Sequence, residues 1–251
     1  MNDLFDLSGR TAVVTGARRG LGRGMAVALA QAGADIIGVS PQMSDKDEVV
    51  AEIRALGRTF EARSVDLADR DAVVALGDEL AERAPEILVN NAGTIMRSPA
   101  AEHPLDFWDT VLAVNLSSQF ILAQALARPM LARGYGKIIF TASLLSFQGG
   151  INVPGYAAAK SGIAGLVHAL SNEWAGKGVT VNAIAPGYMA TDNTQALQDD
   201  PDRNAAILGR IPAGRWGTRD DMAGATVFLA SRASDYVSGA ILPVDGGWLA
   251  R

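Results

Sequence analysis

Short apolar runs rich in β-branched residues alternate along this chain with longer stretches whose apolar positions recur at helical spacing. The short runs predict strands at 11–14, 35–39, 59–65, 87–89, 137–140, 179–184 and 240–244. The longer stretches predict helices that include 25–30, 46–56, 69–83, 107–133, 156–175 and 219–229. This alternation indicates an α/β fold: a single-domain doubly wound parallel sheet, Rossmann-like, with helices on both faces, over residues 1–251.

The first predicted strand leads into a glycine-rich segment, TGARRGLG at residues 15–22, which opens the first predicted helix. Small residues let a backbone approach a pyrophosphate, and a helix N-terminus offers free amides and partial positive charge. The segment therefore favours nucleotide binding, with a turn that binds no ligand as the alternative.

Two further polar segments follow predicted strands. Residues 90–93, NNAG, combine asparagines that can tie adjacent strands together with small residues that permit close approach to a sugar. A plain strand-end turn explains them equally well. Asp66 ends the third predicted strand, where its carboxylate can accept a hydrogen bond from an adenine amino group or cap the following helix.

Tyr156 and Lys160 stand four residues apart, a spacing that places both side chains on one face of a helix. A lysine held beside a tyrosine favours the phenolate and lowers the tyrosine pKa from its reference value near ~10. The pair then forms a proton donor or acceptor usable near neutral pH. For these two residues alone, an exposed helical pair is the alternative.

Composition excludes several functional classes. Cysteine is absent and the two histidines are His103 and His168, so the sequence predicts no disulfide and no metal site. A net charge of -5 argues against a nucleic-acid surface. No run reaches the ~18–20 apolar residues that cross a bilayer, and the acidic start is unlike a signal peptide. We therefore expect a soluble, cytoplasmic protein with no nucleic-acid or membrane partner.

The motifs taken together resemble the short-chain dehydrogenases/reductases over essentially the whole chain. The residues that carry the resemblance, in order, are Thr15-Gly-x-x-x-Gly-x-Gly22, Asp66, Asn90-Asn-Ala-Gly93, Asn115, Ser143, Tyr156-x-x-x-Lys160, Pro186-Gly187 with Thr191, and Val244-Asp-Gly-Gly247. The resemblance implies that Ser143 hydrogen-bonds the substrate oxygen and that Tyr156 transfers the proton. It also implies that Lys160 binds the nicotinamide ribose and lowers the tyrosine pKa, while Asn115 holds a water that links Lys160 to solvent.

The same resemblance implies a nicotinamide cofactor. Its expected contacts are Gly16, Arg18, Arg19, Gly20, Leu21, Ser40, Gln42, Asp66, Leu67, Asn91, Ala92, Gly93, Tyr156, Lys160, Pro186, Gly187, Met189 and Thr191. Ser40 stands at the end of the second strand, where an acid that binds the ribose hydroxyls of NAD is expected. A basic residue before the second glycine is associated in the family with NADP, and a solvated pair is the alternative for Arg18 and Arg19. We expect NADP(H) to be favoured, with NAD(H) as the alternative.

Four segments, 145–150, 182–191, 210–217 and 234–251, are similar to one branch of the family. These are the bacterial 2-deoxy-D-gluconate 3-dehydrogenases, also named 2-dehydro-3-deoxy-D-gluconate 5-dehydrogenases. Members of that branch are usually taken as NAD enzymes, so Ser40 is a departure from it. The similarity implies a sugar-acid substrate, for which Arg97, Gln148 and Asn152 are candidate partners, since arginine forms bidentate contacts with carboxylates. Surface loops that bind nothing are the alternative.

Two other functions remain open at this point. A 3-oxoacyl reductase or other carbonyl reductase of the same family shares every catalytic residue. A non-catalytic NAD(P)-sensing module has no use for a proton relay, so the intact catalytic set argues against it.

Two segments near the C-terminus carry structural expectations. The mixed polarity of residues 192–208 favours a mobile lid, and an ordinary surface helix is the alternative. Trp216, Tyr236, Trp248 and residues 249–251 are expected at a subunit interface. The family resemblance implies a homotetramer.

Overall fold

The computed structural model describes residues 2–251 and contains a seven-stranded sheet in which each neighbouring pair is parallel. The strand order is β3-β2-β1-β4-β5-β6-β7. The strands are β1 (Thr11–Thr15), β2 (Asp35–Ser40), β3 (Phe60–Ser64), β4 (Ile87–Asn90), β5 (Gly136–Thr141), β6 (Val179–Pro186) and β7 (Ile241–Val244). The order reverses between β1 and β4, and folds of this type bind ligands beyond the strand ends at such a point.

The helices cover both faces of the sheet. They are α1 (Gly20–Gln31), α2 (Glu48–Ala55), α3 (Arg70–Glu82), α4 (Leu105–Leu112), α5 (Ser118–Arg133), α6 (Pro154–Trp174), α7 (Gln195–Gln198), α8 (Pro201–Leu208) and α9 (Ala223–Ala230). One core cluster joins α3, α5 and α6 to the sheet, and a second joins α1, α2 and α9 to its other face. The predicted doubly wound α/β architecture is therefore confirmed.

The core explains why the central strands are continuously apolar in sequence. β4, β5 and β6 are buried at every residue. Successive residues of β1 face opposite layers: Val13 packs in the cluster with α3, α5 and α6, whereas Ala12 and Val14 pack in the cluster with α1, α2 and α9. Burial on both faces removes the polar alternation of a half-exposed strand.

Two predicted helices differ from the structure in a way that matters for the site. The stretch predicted as one helix over 107–133 is interrupted by a π-helical turn, Ala113–Ser117, between α4 and α5. The stretch predicted over 219–229 begins as a 3-10 turn, Arg219–Met222, before α9. Each of these segments is only about one turn long, too short for its periodicity to differ detectably from that of an α-helix, so the pattern did not distinguish them.

Among the described residues, one helical segment, Leu105–Arg133, is long and apolar enough to cross a membrane by length and composition. It holds no uninterrupted run of ~18–20 apolar residues, as expected, since Asp109, Asn115 and Gln119 stand among its apolar positions. Half of the segment's most apolar window is buried inside the protein. Leu122 and Leu126 of α5 belong to the core cluster with α3 and the sheet, so the apolar composition is that of a core helix.

Candidate active site

Residues 15–22, the glycine loop, pack directly against the turn that follows β4. A Cβ placed on Gly22 would overlap the carbonyl oxygen of Gly16 and the amide nitrogen of the Asn91 side chain. Gly16 has a φ of 70°, in the left-handed region that favours glycine. The loop therefore needs glycine at both positions, because its backbone packs tightly against itself and against Asn91. We call this compact backbone turn the glycine-loop cradle.

The N-terminus of α1 opens onto this cradle. Arg19 precedes α1 in an extended conformation, and within residues 2–251 its side chain makes no capping hydrogen bond to the helix. The first amides of an uncapped helix attract anions. Cradle and helix end together fit a dinucleotide pyrophosphate.

Thr15 and Asn91 join the ends of the central strands. Thr15 Oγ1 accepts hydrogen bonds from the backbone amides of Asn91 and Ala92, each at 3.0 Å. The side-chain amide of Asn91 donates to the Thr15 carbonyl at 3.0 Å, and Thr141 Oγ1 donates to Asn91 Oδ1 at 3.4 Å. The prediction that an asparagine ties adjacent strands together is confirmed, since Asn91 links β1, β4 and β5.

The predicted catalytic residues meet where β5 ends and α6 passes over it. Ser143 precedes a 3-10 turn, Leu144–Ser146, and its hydroxyl lies close enough to the Tyr156 phenol to act on the tyrosine pKa. Lys160 Nζ lies 5.6 Å from the centre of the Tyr156 ring and donates to the Thr141 carbonyl at 2.6 Å. The structure thus brings Ser143, Tyr156 and Lys160 into one cluster on the first turns of α6.

Burial dominates the pKa values of this cluster. It raises the pKa of Tyr156, while the hydrogen bond with Ser143 and the positive charge of Arg97 oppose that rise without cancelling it. Burial also lowers the pKa of Lys160 to about 8. The expectation of a lowered tyrosine pKa is therefore wrong for this structure, because desolvation of the phenolate outweighs the charges around it.

Asn115 is fully buried in the π-helical turn between α4 and α5. Its Oδ1 accepts from the Thr94 amide and its Nδ2 donates to the Thr94 carbonyl, both at 2.8 Å. Each end of the side chain thus has one backbone partner, which ties the π-helical turn to the loop that carries Thr94. A Cβ on Gly162 would lie 3.0 Å from Leu116, which shows how closely α6 approaches this turn.

The three candidate substrate residues come from two loops that touch. The Ser98 amide donates to the Asn152 carbonyl at 3.0 Å, which joins the loop carrying Arg97 to the loop before α6. The Gln148 amide donates to the Leu144 carbonyl at 3.1 Å, so Gln148 follows directly after the turn that Ser143 opens. Arg97 is also close enough for its charge to act on Tyr156.

The end of β2 holds a buried Ser40 whose hydroxyl is already engaged. Ser40 Oγ donates to the Val39 carbonyl at 2.7 Å and accepts from the Arg18 amide at 3.3 Å. Gln42 lies in the exposed turn beyond it with a φ of 57°. Arg18 Nε contacts Asp47 Oδ1 at 2.8 Å. Asp47 was not predicted, because it lay inside the predicted helix 46–56, whereas α2 begins only at Glu48.

Asp66 is exposed, and its Oδ1 accepts from the Ala68 amide at 2.9 Å in the turn after β3. The helix-capping role considered for it belongs instead to Asp69, whose side chain accepts from the amides of Asp71 and Ala72. Leu67 is buried in the core beside the same turn.

The residues after β6 form the base of the predicted lid. The Gly187 amide donates to the Val244 carbonyl at 2.9 Å, and Met189 pairs with Gly217 in a parallel bridge. Thr191 precedes the 3-10 turn Asp192–Thr194, which leads into α7 and α8. The lid segment, residues 192–208, is therefore three short helical pieces rather than one surface helix.

The lid segment rests on an aromatic cluster. Tyr188 lies 4.7 Å from Trp248 and 5.6 Å from Trp216, measured between ring centres. Trp248 is buried with Ile207 of α8 and with Leu144, the neighbour of Ser143. Trp216 and Trp248 thus pack under the lid segment within the chain, and their place at a subunit interface stays a prediction. Tyr236 is fully exposed.

Comparison with known proteins places this site in a family. The family model described as enoyl-(acyl carrier protein) reductase matches residues 16–249. A 2-dehydro-3-deoxy-D-gluconate 5-dehydrogenase of Pseudoalteromonas atlantica is 61% identical over 100% of both chains. That match covers the whole chain, and with it the segments that hold the glycine loop and the Ser143, Tyr156 and Lys160 cluster.

Two solved structures are similar over the whole fold. An Agrobacterium tumefaciens protein with bound NADP has a TM-score of 0.94 and 53% identity, covering 99% of this chain and 100% of its own. A gluconate 5-dehydrogenase of Burkholderia cenocepacia, in complex with NADP and tartrate, has a TM-score of 0.93 and 40% identity, covering 100% and 99%. The predicted family and enzyme class are thus confirmed, and this chain is a member of the short-chain dehydrogenase/reductase family of oxidoreductases.

Proposed function

We propose that this chain interconverts a secondary alcohol and a ketone on a deoxy sugar acid, with NADP(H) favoured over NAD(H). The observation that carries the proposal is the cluster of Ser143, Tyr156 and Lys160 beside the glycine-loop cradle. When bound, the nicotinamide cofactor supplies or accepts the hydride, which leaves proton transfer to the protein.

Tyr156 is the proton donor to the substrate oxygen in the direction of reduction. Its raised pKa keeps the hydroxyl protonated at neutral pH, and the Ser143 hydroxyl lies beside it. Ser143 then has a hydroxyl to share with the same substrate oxygen. The Lys160 ammonium, near the Tyr156 ring, favours the phenolate that forms as the proton leaves. In the direction of oxidation the same groups take up the proton.

The cofactor would lie across the strand ends from the glycine loop to the base of the lid segment. The residues that would hold it are Gly16, Arg18, Arg19, Gly20, Leu21, Ser40, Gln42, Asp66, Leu67, Asn91, Ala92, Gly93, Tyr156, Lys160, Pro186, Gly187, Met189 and Thr191. The NADP in the solved relatives from Agrobacterium tumefaciens and Burkholderia cenocepacia supports the preference for NADP(H).

Arg97 would bind the substrate carboxylate, with Gln148 and Asn152 toward the hydroxyl groups. The touching loops that carry Arg97 and Asn152 support this assignment, as does the effect of the Arg97 charge on Tyr156. The relative from Pseudoalteromonas atlantica is a 2-dehydro-3-deoxy-D-gluconate 5-dehydrogenase, which supports a substrate of the 2-dehydro-3-deoxy-D-gluconate type. The tartrate in the Burkholderia cenocepacia structure is also a hydroxy acid.

A substrate panel tests the proposal. Deoxy sugar acids, other sugar acids and 3-oxoacyl thioesters are assayed with NADPH and NADH by nicotinamide absorbance. The expected result is the highest kcat/KM for a deoxy sugar acid. A preference for 3-oxoacyl thioesters would contradict the substrate and favour the carbonyl-reductase alternative. Binding of NADPH without turnover of any carbonyl compound would favour a sensing module.

We further propose that residues 1–251 form one domain that assembles as a cytoplasmic homotetramer. Val74 of α3 and Phe120 of α5 are exposed apolar side chains on one groove of the surface, and β7 lies at the edge of the sheet. Sedimentation equilibrium should give a particle mass about four times the 26.2 kDa of one chain. A monomeric mass, or recovery of the native protein outside the cytoplasm, would contradict this proposal.

A further inference from the structure

Arg18, Ser40 and Asp47 come together at the end of β2. The Arg18 amide donates to Ser40 Oγ at 3.3 Å, and Arg18 Nε donates to Asp47 Oδ1 at 2.8 Å. The other carboxylate oxygen of Asp47 accepts from the Ser44 amide at 2.8 Å. In doubly wound folds this strand end is where the ribose 2′ substituent of the adenosine is recognised.

Asp47 is a fixed and ionised group at that place. Its side chain is 13% exposed, whereas the Arg18 side chain is 43% exposed. Burial acts to raise the Asp47 pKa, but hydrogen bonds from Arg18 and the Ser44 amide outweigh it and hold the pKa below its usual range. Arg18 is thus presented to solvent with a carboxylate already bound to it from the protein side.

Ser40 lacks the charge to discriminate between the two cofactors. Its hydroxyl donates to the Val39 carbonyl and accepts from the Arg18 amide. A ribose hydroxyl would therefore compete with these two partners for a hydrogen bond to Ser40. Arg18 and Asp47 form the ion pair beside Ser40, and their charges act on a 2′-phosphate in opposite directions.

We propose that Asp47 is the acidic residue that limits the preference of this chain for NADP(H) over NAD(H). The inference rests on the proposed NAD(P) site. Arg18 uses Nε for Asp47 and keeps its two terminal nitrogens for a phosphate, so NADP(H) still binds. The carboxylate lowers the gain from that contact by competing for the guanidinium and by repelling the phosphate. Selectivity is a difference of two affinities, and Asp47 supplies its repulsive part.

The second arginine of the glycine loop contributes less to this balance. Arg19 Nη1 lies 3.0 Å from Asp192 Oδ2 of the lid segment, but the two side chains are 76% and 74% exposed. Solvent and salt screen such a pair strongly. Asp47, with most of its side chain out of solvent, is the acid whose removal changes the site.

Titration with nucleotide fragments tests the proposal without turnover. The probes are adenosine 2′,5′-bisphosphate and adenosine 5′-monophosphate by calorimetry, with NADPH and NADH by fluorescence. In Asp47→Asn we expect adenosine 2′,5′-bisphosphate and NADPH to bind about fivefold or more tighter, and the two probes without the 2′-phosphate to change by less than about twofold.

Asp45 provides the matched control. It lies in the same turn and contacts Arg54 at 3.1 Å, with 71% of its side chain exposed. Asp45→Asn should leave all four affinities unchanged, and Asp47→Glu, which keeps the charge, should keep the wild-type ratio. The melting temperature of each variant shows whether the fold is retained.

Three results would overturn the proposal. In Asp47→Asn, the affinity for probes with a 2′-phosphate can be divided by the affinity for probes without one. If this ratio equals that of wild type, the carboxylate does not discriminate between the two cofactors. Weaker binding of the 2′-phosphorylated probes would show that Asp47 positions Arg18 instead. If the wild-type protein binds neither NADPH nor NADH, the proposed cofactor site itself is wrong. If no sugar acid in the substrate panel is turned over but Asp47→Asn still binds the 2′-phosphorylated probes more tightly, the proposed substrate is wrong and the role of Asp47 is supported.

Discussion

Ser146 Oγ donates a 2.7 Å hydrogen bond to the backbone carbonyl of Lys160. The same oxygen accepts from the Ser143 amide at 3.3 Å. One hydroxyl therefore joins the loop that carries the catalytic serine to the helix that carries the tyrosine and lysine. Ser146 touches neither the phenol nor the ammonium, so it is a positioning residue for the Ser143 and Tyr156 hydroxyls.

Ser146→Ala removes this link without placing a new group in the site. We expect kcat to fall about tenfold, because small displacements of catalytic groups are costly, while the Kd of NADPH stays within about twofold. Ser161→Ala is the matched control, since Ser161 Oγ donates to the Leu145 carbonyl of the same turn at 3.3 Å, and within residues 2–251 it makes no hydrogen bond with Ser143 or Lys160. Steady-state kinetics give the comparison, and Ser146→Thr should restore kcat. An equal loss in Ser161→Ala would point to general loosening of the turn.

Tyr156→Phe removes the proton donor while keeping the ring on α6. We expect kcat to fall by roughly 10²–10⁴, the range for loss of a general acid or base. NADPH binding, followed by its fluorescence, should stay near the wild-type value because the glycine-loop cradle is unchanged. Tyr236→Phe is the control, since that ring is fully exposed. Turnover close to wild type in Tyr156→Phe would contradict the proposed chemistry.

The buried Lys160 gives the stability of the protein a definite pH dependence. Its folded-state pKa is about 8, below the ordinary value of 10.5, so between these values the unfolded chain binds more protons than the folded one. Burial of the ammonium lowers the free energy of unfolding by its full amount below about pH 8. This loss of stability becomes smaller as the pH rises, because the buried amine is then neutral. Above about pH 10 the raised pKa of Tyr156 acts in the opposite direction, because the folded state then keeps the extra proton.

Urea unfolding of wild type and Lys160→Met at about pH 7 and about pH 9.5 measures the Lys160 contribution. The free energy of unfolding of wild type should rise relative to that of the variant between the two pH values. A constant difference would mean that Lys160 titrates alike in the folded and unfolded states, which would contradict its lowered pKa.

Burial makes the core of this fold predictable from sequence. β4 and β5 were predicted from compact apolar runs, and every residue in both strands is buried. Val89 and Ile139, for example, are buried under helices and contact almost no solvent. Tyr156 and Lys160 were also predicted together, because their spacing along one helix is local. Such features depend on near neighbours in sequence or on the general rule of burial.

Features that depend on distant pairs were missed. The π-helical turn at Asn115 accompanies two hydrogen bonds to Thr94, a partner in another loop that no local pattern indicates. The Arg18 and Asp47 pair likewise joins two loops that only the fold brings together. Desolvation of Tyr156 reversed the sign of its expected pKa shift, because the sequence shows the neighbouring charge and not the surrounding protein.

Arg97→Gln tests the carboxylate site. We expect KM for a sugar acid to rise about tenfold, because the variant loses a charge-assisted contact, while KM for an uncharged ketone substrate stays unchanged. The neutral substrate is the internal control for effects on Tyr156. An equal rise for both substrates would show that Arg97 acts on the catalytic cluster and not on the carboxylate.

Gly22→Ala tests the glycine-loop cradle. The added Cβ would overlap the Gly16 carbonyl oxygen and Asn91 Nδ2. Asn91 Nδ2 donates to the Thr15 carbonyl and the Gly16 amide donates to the Val39 carbonyl, so neither residue can move without disturbing the joined strand ends. We expect the Kd of NADPH to rise more than about tenfold and the melting temperature to fall.

Gly165→Ala is the matched control for that substitution. Nothing lies within 4 Å of a Cβ at Gly165 in α6, so alanine should be neutral or stabilise the helix by up to about 1 kcal/mol through its higher helix propensity. Calorimetric melting and NADPH titration of both variants make the comparison. Unimpaired NADPH binding in Gly22→Ala would show that the loop tolerates a side chain there, and that the tight approach of its backbone to Asn91 is not what creates the cofactor site.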